Sequence, residues 1–173
     1  QSGESGAIKI STSNSASSTS GDLSMVSGSG VTGSGSINIQ SGTSTVSAGG
    51  VYIAAGTSIG SAGSPIEIAA GESTSNIGGI ISVVSGGAAQ GYASGAISIA
   101  SATANATAGD SGMIKVESGA ATSGSTGSIQ LSTGSVNMTG KAGSLNLQAG
   151  TSVYSTGASI NIEAGDTILD RKS

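Results

Sequence analysis

Aliphatic residues in this chain come in pairs with one residue between them, and the pairs return at a nearly constant interval. "GSINIQSG" (35–42) and "GGVYIAAG" (49–56) show the form: a leading glycine, two aliphatics at alternate positions, a small residue and a closing glycine. The pattern G-x-I-x-I-x-x-G, with any aliphatic at the two I positions, can be laid along the chain eleven times. Its first aliphatic is Ile8, Leu23, Ile37, Val51, Ile66, Ile81, Ile97, Ile114, Ile129, Leu145 and Ile160. Its second is Ile10, Met25, Ile39, Ile53, Ile68, Val83, Ile99, Val116, Leu131, Leu147 and Ile162. Successive first aliphatics stand 15, 14, 14, 15, 15, 16, 17, 15, 16 and 15 residues apart. The leading position is Gly in nine of eleven repeats, with Ser64 and Ala158 as exceptions, and the closing one in nine, with Ser13 and Ala102. Just before the closing position stands a small residue every time, from Thr12 and Ser27 to Ala149 and Ala164.

Alternation of period two, rich in β-branched residues, predicts a short half-buried strand in each repeat. Ile37 and Ile39 would turn inward while Ser36, Asn38 and Gln40 turn out. Glycine at the strand ends predicts corners that use φ > 0. No 3.6-residue period appears, and the glycine density disfavours helix. A repeat of about fifteen residues cannot bury its own aliphatic pair and must stack on its neighbours. The expected fold is therefore all-β: a single-chain β-solenoid, or β-helix, with a thin Ile/Val/Leu core. At about 4.8 Å per coil, eleven coils would span about 50 Å. Two repeats per coil of about thirty residues, with two aliphatic faces opposed, remains the alternative. Residues 1–173 read as one continuous repeat domain, with repeats over 6–165 and a charged end over 166–173. Some spacers add one aliphatic, as at Val31, Val46, Ile59, Val136, Val153 and Ile168; Thr103–Gly112 offers almost only small residues.

Composition narrows the function without naming it. Gly (31) and Ser (38) dominate the 173 residues, which alone would suggest a flexible linker. The aliphatic pairs and a charged fraction of only 8% oppose that reading. Phe and Trp are absent and only Tyr52, Tyr92 and Tyr154 are aromatic, so a core built on large rings is excluded. Absence of Cys removes disulfides and thiolate metal sites. The net charge of −4, with scattered cations, argues against nucleic-acid binding. No apolar run is long enough to span a membrane as a helix.

With neither His nor Cys, nucleophilic triads built on them are impossible. Lys9, Lys115 and Lys141 could serve as bases only for serines that happen to be nearby, and Lys9 and Lys115 fall at solvated positions between aliphatics. The carboxylate pairs Glu67/Glu72 and Glu163/Asp166 fall at expected turns. Asp22 and Asp110 do not recur with the repeat, so no calcium ladder is predicted. The expectation is a chain without catalytic, cofactor or metal residues, and not an enzyme. Two N-glycosylation sequons start at Asn105 and Asn137, about the number that chance provides. Ice binding by a solenoid would call for arrays of T-x-T, and only Thr43-Ser44-Thr45 has that form. The column between the aliphatics is a wettable mixture: Lys9, Ser24, Asn38, Tyr52, Glu67, Ser82, Ser98, Lys115, Gln130, Asn146 and Asn161.

The run "GSINIQSGTSTVSAGGVYIAAGTS" resembles the Gly/Ser-rich G-x-I-x-I-x-x-G repeats of large solenoid proteins of algal, viral and phage-fibre surfaces. The likeness is one of repeat style, from Gly6 to Gly165. It implies an extracellular or virion-surface fibre, filament or adhesive layer, and carries no catalytic residue over. The expected function is structural, with copies of the chain itself as partners, associating head-to-tail or laterally. The head-to-tail form follows from two nearly bare solenoid ends, around Glu4 and Lys9 and around Asp170, Arg171 and Lys172. An ice- or carbohydrate-surface-binding solenoid is the alternative.

Overall fold

The computed structural model describes Gly3, residues 5–104 and residues 109–165. By internal proximity the chain divides into two units, Gln1–Val83 and Val84–Ser173. Among the described residues neither unit contains a helix or a strand.

The first unit is a series of straight segments separated by bends. The bends fall at residues 16–18, 31–32, 45–46, 59–61 and 74–76, one in each spacer. Around the bends at 16–18, 31–32, 45–46 and 74–76 the chain doubles back, so that a leading glycine returns beside the small residue near the end of the preceding repeat. A Cβ placed on Gly35 would lie 3.5 Å from Ser27 Cβ, and one on Gly49 would lie 3.9 Å from Ser41 Cβ. The tightest neck is at Gly79, where a Cβ would meet Ala70 Cβ and the Gly71 nitrogen, each at 3.2 Å. There the Gly79 N–H donates to the Gly71 carbonyl at 2.9 Å.

The second unit repeats the device. Its bends are at residues 90–92, 122–124, 137–140 and 153–155. Gly95 approaches Ser85, Gly112 approaches Ser101, Gly127 approaches Ser118 and Gly143 approaches Thr133, with Cβ separations of 3.5, 3.8, 3.8 and 3.9 Å. Gly95 N–H donates to the Gly86 carbonyl at 2.9 Å, and Ala158 N–H to the Gly150 carbonyl at 3.1 Å. From leading position to small residue every repeat has seven residues, so the variation in repeat length lies wholly in the loops that these necks close.

Serine hydroxyls shape several of the bends. Ser15, Ser44, Ser73 and Ser152 each stand two residues past a closing position, and each accepts the N–H of the residue three further on at 2.9–3.1 Å. A short side chain thereby supplies the acceptor that a backbone carbonyl provides in an ordinary turn.

The β-solenoid expected from the alternation does not form, with either fifteen or thirty residues per coil, and the β-helix reading falls with it. The Ile/Val/Leu core falls too, because none of the described residues is buried. The physical reason lies in the spacers. A closed coil needs a second apolar wall, and the spacer aliphatics do not turn inward to build one. Val31, Val46, Ile59 and Val153 sit in the bends and stand 86–107% exposed. Val136 is partly covered, with Cγ1 against Gly140, and Ile168 lies outside the described residues. With one thin wall, an aliphatic pair per repeat offers too little burial to offset the entropy of ordering the segment.

The glycines correct a second expectation. Positive φ occurs at Gly60, Gly91, Gly124 and Gly140, all in bends, and at none of the leading or closing positions. The leading column selects glycine for close approach at the neck.

Candidate interaction surface

The surface that recurs in both units is the aliphatic pair. Two residues after the neck stands the first aliphatic, and it is the better covered of the two in every repeat but the first. Ile97 is 52% exposed and Ile99 78%. The same contrast separates Ile66 from Ile68 and Ile160 from Ile162. In repeats that follow a neck, one edge of the pair is sheltered and the other stands open to water.

Side chains two apart lie on the same side of the segments. In one repeat Lys115 Nζ pairs with Glu117 Oε1 at 2.7 Å, across Val116. In another the Asn161 amide donates to Glu163 Oε1 at 2.8 Å, across Ile162. A Cβ on Gly50 would touch the Tyr52 ring at 3.0–3.2 Å, across Val51. These contacts are what an extended backbone gives, with successive side chains on opposite sides. Each segment thus has an apolar side and a polar side although no sheet forms. The Lys115–Glu117 pair is solvated on both partners and contributes little to stability.

The candidate chemical residues remain apart. Glu67 and Glu72 are separately solvated, Glu163 faces Asn161, and Asp166 lies outside the described residues. Lys9, Lys141, Asp22 and Asp110 are exposed, with no ion pair to a described residue. No group of three or more acidic residues that could hold a metal ion, and no pocket, occurs among the described residues. Among the described residues there is also no helix long and apolar enough to cross a membrane. Asn137 opens an exposed bend, and Asn105 lies outside the described residues. Within Thr43-Ser44-Thr45, Ser44 Oγ accepts the N–H groups of Val46 and Ser47 at 3.1 Å.

Sequence reasoning missed the turn serines and the necks. The turn serines did leave a signal, a Ser at a fixed offset from the closing position in five spacers, at positions 15, 44, 58, 73 and 152. The necks left one as well, in the pairing of a small-residue column with the glycine column that follows it.

Comparison with protein-family models, curated proteins and solved structures finds no match for this chain.

Proposed function

We propose that this chain is a structural, non-enzymatic element of an extracellular or virion-surface fibre, filament or adhesive layer. The observation that carries the reading is repetition of one uncovered aliphatic pair through both units, in most repeats beside a closed neck. A surface repeated in this way serves contacts that gain strength from number, because linked weak sites act together. The assignment to a surface rests on the likeness of "GSINIQSGTSTVSAGGVYIAAGTS" to fibre repeats.

Immunogold labelling of intact source cells or particles, with an antibody to the chain, tests this reading. Gold on external fibres or layers is the expected result. Gold confined to the interior would overturn it.

A further inference from the structure

The isolated chain leaves uncovered what folded proteins cover. Its accessible surface is 17651 Å². A compact chain of 16.0 kDa would expose about 7,400 Å², less than half as much. The surplus is about thirteen times the roughly 800 Å² per partner that a stable interface of ordinary size covers. Much of it is aliphatic, with Ile37, Ile39, Ile97, Ile99, Ile129 and Leu131 all between 48% and 78% exposed. The backbone is similarly unsatisfied. Four backbone–backbone hydrogen bonds form among the described residues, where a folded chain makes roughly two for every three residues.

We infer that a second copy of this chain covers the aliphatic pairs, associating side by side through the repeats. This inference rests on the structural reading above and names its partner. Three features select a copy over another occupant. The uncovered surface recurs with the repeat in both units, and a second copy carries the same seven-residue segments with the same two aliphatics. The free N–H and C=O groups of an extended segment are met by another extended segment, which a copy supplies. Charge offers little opposition, since charged residues make up 8% of the chain and the net charge is −4 over 173 residues. Contact along the repeats is favoured over the head-to-tail contact expected from solenoid ends, because the uncovered surface recurs from repeat to repeat and no solenoid forms among the described residues.

Ile97 and Ser98 allow a decisive pair of variants. They are neighbours on opposite sides of one segment, so Ile97→Asp and Ser98→Asp add the same charge to different sides. Analytical ultracentrifugation of the full chain should show species that grow heavier with concentration. Ser98→Asp should leave that behaviour unchanged. Ile97→Asp should weaken association roughly tenfold or more, because the interface would have to bury an unpaired carboxylate. Far-UV circular dichroism of each variant at the lowest concentration should match that of the parent, since none of the described residues is buried. A parent chain that stays monomeric at every concentration would overturn self-association, while a surface location shown by gold labelling would still stand. Association that both variants weaken alike, or that neither weakens, would overturn the aliphatic pairs as the contact.

Discussion

Among the leading glycines, Gly79 is the one whose replacement should be felt most. A methyl group there would press on Ala70 Cβ and on the Gly71 backbone at 3.2 Å, and backbone cannot swing aside as a long side chain can. The Gly79–Gly71 hydrogen bond would stretch as the neck opened. Gly71 itself has nothing within 4 Å of where its Cβ would stand. Amide hydrogen exchange should therefore speed up at position 79 in Gly79→Ala. In Gly71→Ala it should change by no more than the equivalent of about 0.5 kcal/mol, the range of surface substitutions. Equal effects would mean that the neck does not constrain the chain. The leading glycines were legible in the sequence as a column, but their purpose was not. Glycine serves both positive φ and close approach, and only the position of Ser27 beside Gly35, or Ala70 beside Gly79, tells the two apart.

The bends test whether a hydroxyl can hold a loop by itself. Ser73 Oγ accepts the Asn76 N–H at 2.9 Å, and Asn76 Oδ1 accepts the next N–H, from Ile77, at 2.8 Å. Ser73→Ala removes the first of these acceptors in an exposed turn, where the freed N–H can turn to water. The loss should be about 0.5–1 kcal/mol of local order, read as faster exchange at Asn76. Ser58 has the same offset from its closing position but makes no such bond, so Ser58→Ala should leave its bend unaltered. The straight segments were legible as well: alternation at Ile37/Ile39 and Ile160/Ile162 points to extended backbone, and the Asn161–Glu163 contact has the geometry this requires. Their pairing into a sheet was not legible. Period two reports which side of a segment is apolar, but it carries no information about what lies against that side. Ile59 and Val153 look in sequence like a second wall, yet as bend residues they turn to solvent.

For the chain in its entirety, contact through apolar surface predicts a distinctive response to conditions. The hydrophobic contribution weakens on cooling and strengthens in sulfate, whereas contacts made by ion pairs weaken as salt rises. Light scattering from the full chain should thus rise with added sulfate and fall when the solution is chilled. A signal lost on adding sodium chloride and insensitive to cold would point instead to charged contacts such as those open to Lys9, Lys141 and Glu67. The placement of uncovered surface was partly legible too. The aliphatic columns are plain in the sequence, and their exposure follows from spacers such as Thr103–Gly112 that offer almost no apolar residue to oppose them.

The closed necks also separate two properties that most chains tie together. Because Ala70 meets Gly79 and Ser85 meets Gly95 whatever lies between, loop length is free to drift while the seven-residue segments keep theirs. Doubling a flexible loop adds only about 0.6 kcal/mol to the entropy of closing it. The existing loops already sample this freedom, spanning 8 to 11 positions from small residue to returning glycine. Such a chain can acquire or shed sequence at its bends, even a foreign peptide, without disturbing the aliphatic pairs on either side. Its loops can therefore diversify under selection while the repeated surface is held constant.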